Sequence, residues 1–169
     1  TFPKFFLQFI RVKCIFALIK PTGRVEVPRE KNIFMKKTLV DLFEESVRKF
    51  PNNTFLLEKT NKVFEPTTYK QVQEKVYQLG AGLQALGVKK GDNMALLSEG
   101  RNMWIIGELA MFYAGAVNVP LSIKLEESND LMFRLLHGDV KYIMVSGTQL
   151  KKVRQIKDKL PAVEKIIVF

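Results

Sequence analysis

The four residues Met94-Ala95-Leu96-Leu97 are apolar without a polar alternate, and segments with helical periodicity flank them on either side. A strand with no polar face has to be covered on both faces, which is the habit of a parallel sheet sandwiched between helices. The preceding helix is well marked. Thr68 and Gln71 form a capping box, and Tyr69, Val72, Val76, Leu79, Leu83 and Leu86 recur at spacings of three and four up to Gly87. After the strand, Ser98-Glu99-Gly100-Arg101-Asn102 is a polar loop. Met103 to Ala114 is then a helix whose only charge is Glu108, expected to be buried nearly all round, and Gly115 leads into a second strand at Ala116 to Val119. One right-handed crossover unit follows from this order, and its ligand edge lies beyond the carboxyl end of the central strand, at Ser98 to Asn102.

The rest of the chain extends that plan. Thr38 caps a helix with Val40, Phe43, Val47 and Phe50 inward. Thr54 to Glu58 and Lys62 to Glu65 flank Lys59-Thr60-Asn61 as a hairpin. Beyond Pro120 come a helix from Ser128 to His137 burying Leu131, Leu135 and Leu136, a strand at Tyr142 to Val145, and a helix from Thr148 to Leu160 with Leu150, Val153 and Ile156 inward. A last strand runs from Ile166 to Phe169. The fold class is therefore α/β, a mostly parallel sheet with helices on both faces. The chain starts without Met and stops within an expected strand, so a longer parent protein is anticipated.

Charge divides the chain at residue 36. Of the net +10, residues 1–36 contribute +6, and residues 37–169 are only mildly basic. A nucleic-acid surface would need a basic stripe with exposed aromatics, whereas most Phe here occupy core-patterned positions, so no nucleic-acid partner is expected. Phe5 to Ile19 is apolar but too short and too charged to span a bilayer. It reads either as a segment that docks elsewhere on the protein or as an interfacial helix giving peripheral membrane contact through residues 4–19. The single Cys14 allows no internal disulfide and fits a reducing, cytoplasmic setting, with membrane association as the added option. The lone His137, beside Gly138, reads as a helix C-cap rather than a metal ligand.

Few residues invite chemistry. Gly80-Ala81-Gly82 lies inside a helix and reads as a packing feature. Ser146-Gly147-Thr148 follows a strand and opens a helix, where an anion could sit, but Thr148 reads first as an N-cap. The basic run Lys151, Lys152, Arg154, Lys157 and Lys159 reads as a solvated face. At the strand exit, Glu99 and Arg101 are close enough for an ion pair or loop anchor, and Trp104 heads a buried helix. Ser98, Glu99, Arg101 and Trp104 are the candidates for lining a cleft; no catalytic, cofactor-binding or metal-binding residue is assigned.

These residues carry a resemblance. The run Thr68-Tyr69 to Leu86-Gly87-Val88-Lys89-Lys90-Gly91-Asp92, then Ala95-Leu96-Leu97-Ser98-Glu99-x-Arg101-x-x-Trp104, then Ala114-Gly115-Ala116-Val117-x-Val119-Pro120, resembles the AMP-binding, adenylate-forming superfamily. The Ser-Glu-x-Arg-x-x-Trp run is most similar to bacterial long-chain fatty-acid–CoA ligases, although Gly100 replaces the usual Asn and Asn102-Met103 replaces Pro-Glu. The similarity runs from about Leu39 to Phe169. It implies an N-terminal subdomain fragment of an adenylate-forming enzyme, with residues 1–36 as a basic apolar segment and linker and residues 37–169 as the incomplete AMP-binding domain. It also implies, for the parent enzyme, a fatty acid substrate, ATP, CoA and Mg²⁺. The family's phosphate loop, of the type Thr-Ser-Gly-Thr-Thr-Gly-x-Pro-Lys, is not matched by Val145 to Lys151 and is expected later, so the fragment itself should be inactive. Two alternatives stay open: a ligase for another carboxylic acid, and a free-standing module that binds membranes or acidic partners.

Overall fold

The computed structural model describes residues 37–126 and 130–169. The expectations for residues 1–36 and for the start of the helix at Ser128 lie outside the described residues. In order, the elements are α1 (Leu39–Lys49), β1 (Thr54–Thr60), β2 (Val63–Thr68), α2 (Tyr69–Ala85), β3 (Asn93–Leu97), α3 (Asn102–Tyr113), β4 (Val117–Leu121), α4 (Met132–His137), β5 (Tyr142–Val145), α5 (Leu150–Ile156) and β6 (Lys165–Val168), with a 3₁₀ turn at Lys157–Lys159 before β6.

Four strands make a parallel sheet in the order β4-β3-β5-β6, and β1 and β2 make a separate antiparallel hairpin. The central position expected for Met94 to Leu97 is the observed one, since β3 pairs in parallel with β4 on one side and β5 on the other. Successive side chains point to opposite faces, so an all-apolar strand feeds two cores at once. Met94 and Leu96, with Tyr142 and Met144 of β5, face a core shared with α1, α2 and α3. Ala95 and Leu97, with Ile143 and Val145, face a second core shared with α4 and α5.

Local chemistry sets the element ends. The expected capping box of Thr68 with Gln71 forms, and the Thr38 cap proves to be a second one, with Asp41. Helices α2 and α3 close in Schellman turns, with Val88 N donating to Leu83 O (3.1 Å) and Ala116 N to Met111 O (2.9 Å). Gly87 and Gly115 follow those helices at φ +103° and +81°. Helix α4 uses Asp139 at φ 44° for the same turn. Gly138 is close-packed there: a Cβ on it would come 3.0 Å from Arg134 O.

Several expectations are corrected. Phe50 and Leu86 close their helical stripes in sequence but hold the C-cap positions and are exposed, and Leu136 is exposed next to the buried Leu135. The hairpin turn is the tight pair Asn61-Lys62, both at positive φ, rather than Lys59-Thr60-Asn61. Gly80 does pack, its Cβ position lying 3.4 Å from Ala110 O, whereas Gly82 faces open space. Helix α3 buries Ile106, Gly107, Ala110 and Met111 and leaves its other side half-exposed rather than buried all round. The ring of His137 stacks on Phe133, with centroids 5.4 Å apart, instead of capping a carbonyl.

Candidate functional site

Strands β3 and β5 end level, with Leu97 opposite Val145 and Ser146 N donating to Leu97 O (3.0 Å). The loops that follow, Ser98–Asn102 and Ser146–Gln149, therefore lie side by side at the carboxyl edge of the sheet, where open α/β sheets place ligands. Ser98 is buried and its Oγ donates to Glu99 O (3.0 Å). Glu99 accepts a hydrogen bond from Gln149 Nε2 at 2.6 Å. That amide, ahead of a smaller electrostatic contribution from Arg101, holds the Glu99 carboxyl below its ordinary range.

The expected Glu99–Arg101 pair does not form. Arg101 instead turns towards the hairpin, with its Nε 3.7 Å from Glu58 Oε1 across a half-exposed gap. Such a pair contributes little to stability but ties the hairpin to the loop. Trp104 is half-buried against the α1–α2–α3 core, where its size favours a packing position. The four residues named from sequence thus divide: Ser98 and Glu99 join the β5 loop, and Arg101 and Trp104 turn towards the hairpin and the helical layer.

Two further residues complete the edge. Ser146 is fully buried with its hydroxyl near enough to Glu99 to help lower the carboxyl, though in no well-formed hydrogen bond, and Gln149 Oε1 has no partner among the described residues. Thr148 is not the N-cap; Gln149 holds that position in a helical conformation and sends its side chain to Glu99 instead of to the first turn. Sequence marked Ser146 only as part of a generic strand-to-helix turn, and Gln149 carried no signal, because its partner lies 50 residues away. Chemically, a carboxylate, an amide oxygen and a hydroxyl favour a group that donates hydrogen bonds over a phosphate.

The groups implied for the parent enzyme do not fit the described residues alone. Gly147 N donates to Phe169 O and Gln149 N to Ser146 O, so two of the amides that a triphosphate would use at this turn are already engaged. Among the described residues no cluster of three His, Cys, Asp or Glu could hold a cation. A hollow of about 420 Å³ beside α2, lined by Pro66, Thr67, Gln71, Glu74, Lys75 and Gln78, opposes its one cation with a carboxylate. Among the described residues no helix is long and apolar enough to cross a membrane.

The Glu99–Gln149 contact predicts a pH effect of defined sign. A carboxyl with a lowered folded pKa adds stability that is complete above its ordinary value of 4.5 and is lost as pH falls through the folded value. Gln149→Leu should raise the Glu99 pKa towards 4.5, read by carboxyl NMR titration, and narrow the gap between denaturation midpoints at neutral and acidic pH. An unchanged Glu99 titration would show that the amide is not the cause.

Comparison with known proteins agrees with this architecture. Long chain acyl-CoA synthetase 1 of Arabidopsis thaliana is 29% identical over 119 residues, covering 68% of this chain and 18% of that protein. The 2-succinylbenzoate–CoA ligase of Listeria monocytogenes is 30% identical over 117 residues, covering 68% of this chain and 24% of that protein. The crystal structure of a long-chain-fatty-acid-CoA ligase from Archaeoglobus fulgidus superposes with a TM-score of 0.72 at 19% identity, over 79% of this chain and 27% of that one, and so shares its fold. The chain thus spans less than a quarter of the length of either of these two curated relatives. The profile described as "AMP-binding enzyme" matches residues 43–169, and with the central parallel strand and its two covered faces this establishes that the chain belongs to the AMP-binding, adenylate-forming enzyme family.

Proposed function

We propose that this chain is the amino-terminal part of an AMP-forming acyl-CoA ligase whose acid substrate is a long-chain fatty acid. Residues 37–169 are then the first portion of its AMP-binding domain, and residues 1–36 a separate segment. The observation that carries the reading is the family match over residues 43–169, which contains the Ser98-Glu99-x-Arg101-x-x-Trp104 exit from a central parallel strand. In the parent, ATP and the fatty acid would give an acyl-adenylate and pyrophosphate, and the CoA thiol would then displace AMP to form the thioester. The described residues contribute scaffold and one cleft border to this chemistry; the groups that meet the phosphates belong to other parts of the parent.

A second acid class has its own support, since one relative is named for 2-succinylbenzoate. Thioester formation by the purified parent with ATP, CoA and either palmitate or 2-succinylbenzoate separates the two. Preference for palmitate is expected, and turnover of the aromatic acid alone would replace the fatty-acid reading. Pyrophosphate release by the 169-residue chain alone should stay at background. Glu99→Gln in the parent should raise KM for the acid about tenfold, the equivalent of about 1.4 kcal/mol. Unchanged KM and chain-length preference would reduce this loop to scaffolding.

A further inference from the structure

The outer side of the second helical layer is amphipathic in a way that its packing does not require. Helices α4 and α5 cover one face of the sheet, burying Leu131, Leu135, Val153, Ile156 and Leu160. Both crossovers, β4 to β5 and β5 to β6, run in the same direction across the sheet, so right-handed connections place α4 and α5 side by side. Helical spacing puts Phe133 opposite the buried Leu131 and Leu135, and Phe133 is 63% exposed and Leu136 43% exposed. On α5 the same spacing puts Lys151 and Arg154 outward, both exposed.

Charge gives this surface a direction. From Leu150 to Lys159 the chain has Lys151, Lys152, Arg154, Lys157 and Lys159 against the single Asp158. Among the described residues none of these cations is ion-paired with a carboxylate. Lys152 alone is engaged, by Ile123 O (2.6 Å) and Leu125 O (3.1 Å), so it pins the loop after β4 beneath α5. Exposed aromatic and aliphatic side chains beside unpaired Lys and Arg are the composition of a surface that lies against an anionic bilayer. There the apolar groups enter the headgroup boundary and the cations meet lipid charge.

We infer that the α4–α5 face, through Phe133, Leu136, Lys151 and Arg154, is a docking surface for an anionic lipid bilayer. It does not rest on the acyl specificity proposed above. The test uses the full 169-residue chain with Cys14→Ser and Leu136→Cys, the new thiol carrying an environment-sensitive fluorophore. Its emission should move to the blue with phosphatidylcholine/phosphatidylglycerol vesicles and hold its aqueous value with phosphatidylcholine alone. Lys151→Gln with Arg154→Gln should weaken partitioning onto the anionic vesicles by about 30-fold, from about fivefold per cation at a lipid surface. The label reports this face directly, so binding carried by residues 1–36 is separable from it. Vesicle binding with an unshifted label, or an undiminished affinity of the doubly neutralised variant, would overturn the inference. An emission shift with polyglutamate but none with vesicles would overturn it in favour of an acidic polypeptide, and a shift with protein concentration alone in favour of a second copy of the chain.

Discussion

Leu96→Ala should lower the free energy of unfolding by about 3–5 kcal/mol, read as a reduced urea midpoint at unchanged slope. Leu96 is fully buried in the central strand and points into the core under α3. Directly above it, α3 has Gly107, whose Cβ position lies 3.8 Å from Leu96 Cδ1 and 2.8 Å from Met144 Sδ. The helix rests on the sheet there with no side chain of its own able to fill a void, so truncation leaves a cavity rather than a repacked contact. Since domains have a margin of about 5–15 kcal/mol, the loss is a large part of the total. Leu136→Ala, at an exposed position, should fall within about 0.5 kcal/mol. A loss at Leu96 of under about 1 kcal/mol would show that α3 can settle onto β3, contrary to the close packing described.

Gly115→Val should cost about 2–4 kcal/mol, through two separate penalties. The residue holds φ +81°, a left-handed conformation that L-residues adopt at roughly 1–2 kcal/mol. Any Cβ also comes 3.3 Å from Lys90 Cα and Cβ, in the turn whose Gly91 N donates to Gly115 O at 2.9 Å, and backbone there cannot step aside cheaply. Gly82→Ala is the matched opposite. It lies inside α2 with nothing within 4 Å of the added carbon, so it should stabilise by up to about 1 kcal/mol. Equal effects at the two sites would refute the packing account.

What sequence could reveal depended on how far apart the interacting residues are. Helix α2 was legible because its cap, its stripe and its closing glycine all lie within one local segment, and β3 and β5 because an all-apolar strand admits a single environment. The exposure of Phe50, Leu86 and Leu136 is not legible in the sequence, because periodicity states which side of a helix is apolar but not where its partner stops. At the strand exit, nearness in sequence suggested Glu99 with Arg101. The fold chose Gln149 and Glu58, contacts that depend on strand order and on a hairpin leaning across the loop. Ser146 and Gln149 were hidden for the same reason, since no local pattern distinguishes an edge serine from any other turn residue.

The order β4-β3-β5-β6 also bears on how the chain is made. As it emerges from a ribosome, Met94 to Leu97 soon meets its first neighbour, Val117 to Leu121, but its other flank is closed only when Tyr142 to Val145 follows. Until then the nascent polypeptide presents a sticky, unsatisfied ribbon. Translation pauses or holdase chaperones acting in that interval should therefore change the yield of this protein.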